Sequence, residues 1–228
     1  MLEVIIAIAV MTIGLFAVWS LFLSHYNGEM EARLNIVGAN LAREGLEVVK
    51  NIRDTNWLKS AENEKCGEQV CTWDEGLSPG AYTPINLLVD SDNINPDNSE
   101  LGLQNYSDYD SKPGQSLFDF ANQDQLTVSL HPMPINGQSY FFYHQDNSQP
   151  TAYRRLIILK SICCSDQTNV GRCDENQSGE IIFSVLPDFG DCSLNNLKVG
   201  IEVESRVDWR VNEAFRTVSV RDQLFNWK

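Results

Sequence analysis

The stretch Val4 to Leu23, VIIAIAVMTIGLFAVWSLFL, contains 20 residues and no charged side chain, and it decides the fold. As a helix with a rise of about 1.5 Å per residue, it matches the roughly 30 Å hydrocarbon core of a bilayer. It lacks the basic flank, the short apolar core and the small-residue cleavage site of a cleaved signal peptide. A plain membrane anchor fits its length but leaves Glu3 unexplained, because a carboxylate at the edge of hydrocarbon is costly without a partner.

A second, amphipathic stretch continues the helical pattern from Glu29. At about 100° per residue, one face is apolar and the opposite face is charged, while Ile36 and Leu46 interrupt the pattern. The apolar face holds Leu34, Val37, Leu41, Val48 and Ile52, and the charged face holds Arg43, Glu47, Lys50 and Asp54, which we expect to pair four residues apart. The first proline is Pro79, so the sequence predicts one helix from Leu2 to about Trp57.

The composition divides the remaining chain into two regions. Residues 59–125 are rich in Asn, Asp, Ser, Gly and Pro, which predicts a connecting loop region. In 126–228, alternating or continuously apolar runs predict the strands Leu126–Leu130, Tyr140–His144, Ala152–Cys164, Glu180–Leu186, Val199–Trp209 and Phe215–Leu224. Asn136-Gly137 predicts a hairpin turn, and Ser205 is the polar interruption in an otherwise apolar alternation.

The fold that follows is α+β. An antiparallel sheet laid over the amphipathic half of the helix buries the apolar faces of both elements. We therefore expect residues 1–28 to protrude as an apolar helix and residues 29–228 to form a globular head.

Six cysteines in a chain that begins with a membrane-length segment favour disulfides and an oxidising, extracytoplasmic location. Cys66 and Cys71 are expected to form a local disulfide that closes a small ring. A zinc site needs paired ligands, and the adjacent Cys163 and Cys164 point to opposite sides of any strand, so no metal site is expected. The preferred interpretation joins Cys163 and Cys164 separately to Cys173 and Cys192, with the partner order open.

Three parts of the chain resemble type IV pilins and the related pseudopilins. The first is the acid Glu3 within a uniformly apolar helix. The second is Asn40 to Leu58, NLAREGLEVVKNIRDTNWL, which is similar to pilins predicted from small, host-associated or uncultured bacterial lineages, as is the ending QLFNWK. In that family the acid is the fifth mature residue and meets the N-terminal amine of a neighbouring subunit. Here it is the third residue, so we expect two further mature residues and a basic leader before Met1.

The resemblance implies a type IV pilin fold and a structural role. Such a subunit is anchored in the cytoplasmic membrane and then assembles into an extracellular filament for adhesion or motility. The implied partners are identical subunits, the inner-membrane assembly machinery and a prepilin peptidase that acts upstream of Met1. The residues expected to make the assembly contacts are Glu3, Val4, Ile5, Ile6, Ile8, Ile13, Leu15, Phe16, Trp19, Leu21 and Phe22.

Other classes of function are less well supported by the sequence. The formal net charge of -14 argues against a nucleic-acid-binding surface, which needs clustered Lys and Arg. No G-x-S-x-G, H-E-x-x-H or glycine-rich phosphate loop occurs, so we expect neither catalysis nor a cofactor. Two alternatives stay open: a minor pilin or pseudopilin of a secretion or DNA-uptake system, and a single-span cell-surface binding protein.

Overall fold

The computed structural model describes residues 2–66, 69–86, 101–106, 115–120, 123–135, 138–145, 149–166, 181–186, 189–192, 197–211 and 214–226. The helices are α1 Leu2–Ala61 and α2 Gln123–Leu126. The strands are β1 Lys65–Cys66, β2 Gln69–Val70, β3 Gly80–Asn86, β4 Leu101–Asn105, β5 Thr127–Ile135, β6 Gln138–Gln145, β7 Pro150–Asp166, β8 Ile181–Val185, β9 Leu197–Val211 and β10 Ala214–Phe225. The chain is therefore α+β, as the sequence predicts.

The chain contains two compact units, the first ending at Val37 and the second running from Gly38 to Lys228. We call the second unit the head. The boundary lies nine residues beyond the predicted one at residue 28, because residues 29–37 of α1 remain outside the packed core. Burial on the helix begins at Gly38, and the buried positions are Gly38, Leu41, Ala42, Gly45, Leu46, Val48, Val49 and Asn56.

The helix α1 ends in a hydrogen-bonded cap that the sequence analysis did not identify. Asn63 adopts the left-handed conformation, with φ of 57°. Its amide donates to Ser60 O at 3.2 Å, and the Glu64 amide donates to Lys59 O at 2.9 Å. This pair of bonds is the Schellman motif, which satisfies carbonyls left open at a helix end. It explains why the helix ends four residues beyond the predicted Trp57.

The head is built on an antiparallel sheet in which β7 is central. The main strand order is β10-β9-β7-β3-β4, and β5 with β6 and β8 join through β7. One edge of β7 pairs with β9 along most of its length. The other edge pairs in turn with β5, β3 and β8. The strands β5 to β10 confirm the six predicted ones, and Ile135 pairs with Gln138 across the predicted hairpin, whose turn residues 136–137 lie outside the described residues.

The sheet is buried on both faces, which explains the nearly continuous apolar run in β7. On one face α1 packs through Leu46 and Val49, in a core formed with Leu77, Tyr82, Ile157, Leu159, Ile201, Val203 and Leu224. On the opposite face a second core contains Ala81, Tyr106, Leu117, Phe120, Leu126, Leu156 and Ile158. Both faces of the sheet are therefore covered by apolar side chains. One face packs against the helix α1, and the other packs against the segment before β5.

The prediction that residues 59–125 form a connecting loop is wrong for β3 and β4. Both strands belong to the main sheet, where Tyr82 pairs with Ile157 on one side and Asn105 on the other. Their composition hid them, since Pro84 within the run is atypical of a paired strand and β4 carries only two large apolar residues. Pairing with neighbouring strands, rather than local propensity, makes them strands.

The charged face of α1 also differs from the prediction. Leu46, expected to interrupt the pattern, is only 4% exposed and belongs to the core. Lys50 Nζ contacts Glu47 Oε1 at 3.3 Å and reaches the sheet at Asp222 Oδ2, 3.1 Å away. Asp54 pairs with its neighbour Arg53 at 2.8 Å instead of with Lys50. Lys50, with 31% of its side chain exposed, therefore lies at the boundary between core and solvent.

Ser205, the polar interruption in β9, lies directly against Gly45 of the helix. A Cβ placed on Gly45 would overlap the Ser205 hydroxyl oxygen and would lie 3.4 Å from Ile157 Cδ1. The Ser205 hydroxyl is buried and makes no hydrogen bond within the described part of the chain. The small side chains of Gly45 and Ser205 therefore allow the helix and the sheet to come close together. The Ser205 hydroxyl has no further role in the described part of the chain.

This contact gives a testable prediction. We expect Gly45→Ala to cost about 1 to 2 kcal/mol through overpacking, despite the roughly 1 kcal/mol that Ala gains in helix propensity. Ser205→Ala alone should be neutral or stabilising, because it removes a buried hydroxyl without a partner. Combined with Gly45→Ala it should restore most of the loss. Urea unfolding of the four proteins in detergent micelles measures this coupling, and simple additivity of the two changes would contradict it.

Candidate functional site

The candidate site is the apolar segment Leu2–Leu23 of α1. Every apolar residue assigned to assembly is more than half exposed, from 54% at Ile6 to 75% at Phe16. Glu3 is also exposed, and it is the only acidic residue before Glu29. Among the described residues, α1 is the one helix long and apolar enough to cross a membrane by length and composition. The structure thus brings the predicted residues onto one continuous helix surface.

The apolar segment has no polar face. Its large side chains surround the helix instead of forming the single stripe seen beyond Gly38. The Thr12 hydroxyl donates to Ala9 O at 2.9 Å, so this polar group is satisfied within the helix. The Trp19 and Phe22 rings contact each other with centroids 6.2 Å apart. A helix that is apolar all round requires an apolar environment on every side.

The apolar segment ends where exposed charges begin. Arg33 Nη2 lies 2.6 Å from Glu29 Oε1, and the two side chains are 77% and 52% exposed. Such a pair contributes little to stability, since both groups are hydrated. The surface of α1 therefore changes between Leu23 and Glu29. Before this point it suits hydrocarbon or protein, and after it the surface suits water.

The motif Arg-Asp-x-Asn-Trp, at residues 53–57, joins the end of α1 to the loop that follows it. Asn56 Nδ2 donates to Glu75 O at 2.8 Å and to Trp73 O at 3.4 Å. The Arg53 guanidinium lies 5.3 Å from the centre of the Trp57 ring. The motif has a structural role, because Asn56 holds the backbone at Trp73 and Glu75 against the helix.

An ion pair between a buried arginine and a partly exposed glutamate, whose side chain is 39% exposed, joins α1 to the sheet. Arg155 of β7 is fully buried, and its Nη1 lies 3.1 Å from Glu44 Oε1 and 3.4 Å from Leu41 O. Burial lowers the pKa of Arg155, and the charge and hydrogen bond of Glu44 oppose that change. Removing Glu44 would leave a buried charge without its carboxylate, which is far more costly than losing a surface pair. Neither residue has a role that is evident from the sequence alone.

A second buried group, Asp208 of β9, lies on the face of the sheet opposite α1. Its Oδ2 accepts hydrogen bonds from the Leu117 amide at 2.8 Å and from the Ser116 hydroxyl at 3.3 Å. Arg206 donates to both oxygens at 2.9 Å, and the Thr217 hydroxyl donates to Oδ1. Arg206 also donates to Gln115 O at 2.6 Å. One carboxylate therefore attaches the segment at residues 115–120 to the sheet.

The disulfides agree with the prediction where the structure describes them. Cys163 is bonded to Cys192, with Cα atoms 5.6 Å apart. Cys164, the next residue of β7, is also disulfide-bonded, as is Cys71. The predicted bonds of Cys66 and of Cys173 lie outside the described side chains. Cys163–Cys192 settles one half of the partner order that the sequence left open.

Comparison with protein-family models, with curated proteins and with solved structures finds no match to this chain. The fold class and the exposed apolar helix are therefore properties read from this chain alone. Within the described residues no three His, Cys, Asp or Glu side chains are grouped as a metal site would require.

Proposed function

We propose that this chain is a structural subunit of a type IV pilus or a closely related extracellular filament, anchored in the cytoplasmic membrane before assembly. A single observation carries the proposal: α1 is one continuous helix whose first third is apolar on all sides and exposed, while its later part packs on an antiparallel sheet. The pilin-like features of Glu3 and of residues 53–57 support it, as does the disulfide-bonded head.

The energetics of assembly explain why one acid matters. Covering the apolar segment yields tens of kcal/mol of gross attraction at about 25 cal/mol per Å² of apolar surface. Transfer from lipid to a bundle of identical helices exchanges one apolar environment for another, so most of that attraction cancels. Packing and the pairing of Glu3 with a neighbouring amine must then select the register between subunits.

This mechanism predicts the behaviour of a Glu3 variant. We expect Glu3→Ala to leave the protein in the membrane fraction but to lower the yield of sheared filaments at least about tenfold. Losing the partner of a desolvated charge costs more than the roughly 1.4 kcal/mol that corresponds to one factor of ten. Glu3→Gln preserves the size of the side chain and removes only its charge. We expect it to assemble equally poorly, because the neighbouring amine again lacks a charged partner. Electron microscopy and sedimentation of the sheared fraction measure the yield.

The matched control is Glu62→Ala, which removes an exposed acid just beyond the end of α1. It should assemble like the unmodified protein. Normal filaments from Glu3→Ala would refute the role given to Glu3. If the unmodified protein forms no filaments and stays with the membrane after shear, the chain is a single-span surface protein and the filament proposal fails.

A further inference from the structure

Four side chains from separate segments of the head form a row in which two phenylalanine rings lie between two arginines. The Arg154 guanidinium lies 5.0 Å from the centre of the Phe118 ring. The Phe118 and Phe215 ring centres are 5.5 Å apart with a 34° tilt. The Arg210 guanidinium lies 5.6 Å from the centre of the Phe215 ring. We call these four residues the arginine–phenylalanine ladder; neither the sequence analysis nor the proposed function accounts for it.

The two arginines of the ladder differ in how their charge is balanced. Arg154 is partly buried, donates to Thr151 O at 3.4 Å and Tyr153 O at 3.2 Å, and faces the negative charge of Asp124. Arg210 is exposed, and among the described side chains its contact is with the Phe215 ring alone. The neighbouring Arg206 is already neutralised by Asp208. Arg210 is therefore a cation held in place by an aromatic ring and open to an external anion.

The structure favours a carboxylate as that anion. A guanidinium presents a planar fork that matches a carboxylate with two parallel hydrogen bonds. The Phe215 ring, whose centre lies 5.6 Å from the Arg210 guanidinium, limits the positions that this fork can take. Preorganised arginine and aromatic side chains are also the residue types that dominate protein interfaces. A nucleic-acid strand fits poorly, because it needs several neutralised phosphates and Arg210 supplies a single cation.

We infer that Arg210 of the ladder binds a surface carboxylate on a second copy of this chain, and so forms a contact between heads. This inference rests on the proposed function. The charge balance supports it: the chain has 31 acidic and 17 basic residues, so copies repel one another except where a local cation meets an acid. Arg210, which has no acidic partner among the described residues and contacts the Phe215 ring, supplies that cation. Contacts of this kind mainly set which surfaces meet and in what register.

The test uses the full chain and converts the contact into a covalent bond. Arg210→Lys keeps the positive charge and its contact with the ring, and it introduces an amine that a zero-length carbodiimide joins to an adjacent carboxylate as an amide with loss of water. Subunits labelled with nitrogen-15 are mixed with unlabelled subunits before assembly. Mass spectrometry then identifies bonds between two copies, since these join a heavy peptide to a light one.

The matched control is Arg43→Lys, an exposed position on α1 for which the described residues show no aromatic contact. We expect the amine at position 210 to give at least about fivefold more bonds between copies than the amine at position 43, which corresponds to a contact worth about 1 kcal/mol. Equal yields in intact filaments would overturn the inference and leave the filament proposal standing. If no filaments form, the same measurement on membranes decides: bonds specific to position 210 support a contact between heads, and their absence overturns it.

Discussion

Asp208→Ala is expected to lower the free energy of unfolding of the head by about 3 to 5 kcal/mol, the range for removing one partner of a buried charged pair. Asp208 is fully buried and accepts hydrogen bonds from Arg206, Thr217, Ser116 and the Leu117 amide. Its removal leaves the Arg206 guanidinium without its carboxylate and the Leu117 amide without its acceptor. Urea unfolding of the full chain in detergent micelles measures the loss.

Two further variants separate charge from packing at this position. Asp208→Asn keeps the size of the side chain and an acceptor oxygen but leaves Arg206 unneutralised, so we expect it to be nearly as damaging. Asp54→Ala removes an acid paired with Arg53 at the surface, where its side chain is 58% exposed, and should cost less than about 1 kcal/mol. Faster hydrogen exchange at the Leu117 amide should accompany Asp208→Ala. Unchanged exchange there would contradict the role assigned to Asp208.

Gly38→Val is expected to destabilise the head by roughly 3 kcal/mol, at the upper end of the range for overpacking. A Cβ on Gly38 would lie 2.7 Å from Trp209 Cζ3 and 3.2 Å from Cε3, too close for atoms of a rigid ring. Trp209 is only 2% exposed and contacts the Tyr153 ring, with centres 5.9 Å apart, so it has little room to move. Thermal unfolding followed by near-ultraviolet circular dichroism would report both the loss and the displaced ring.

The control for this substitution lies on the same helix. Gly28→Val makes the same chemical change, but a Cβ at Gly28 has no neighbour within 4 Å. Valine is also the better helix former of the two residues, so the control should be neutral or slightly stabilising. If both valines cost the same, the effect belongs to the helix backbone and not to the contact with Trp209.

Hydrophobic periodicity predicted the parts of this fold that depend on it. The alternation of Val199, Ile201 and Val203 gives β9 because one face of that strand is buried against α1. The continuous run Leu156 to Leu159 gives β7 because both of its faces are buried. The long α1 follows from apolar and amphipathic helical patterns without an intervening proline.

Features that depend on distant partners were not predictable from the sequence. Gly45 is unfavourable for a helix and Ser205 interrupts the apolar alternation of its strand. The reason for both residues is the close contact between the helix and the sheet. Asp208 reads as one more surface acid, since its partners Ser116 and Leu117 lie 91 or 92 residues away. Pro84 and the few apolar residues of β4 conceal two strands, which form because β3 pairs with an edge of β7 and β4 pairs with β3.

The bond between Cys163 and Cys192 would have a mechanical consequence if this chain were pulled as part of the proposed filament. The two cysteines are 29 residues apart in sequence. An extended chain spans at most about 3.4 Å per residue, so this cross-link reduces the length to which the head can be stretched by roughly 100 Å. A pulling force that separates the strands therefore cannot extend the segment between the two cysteines. That segment would become extensible only after a reductant cleaves the disulfide.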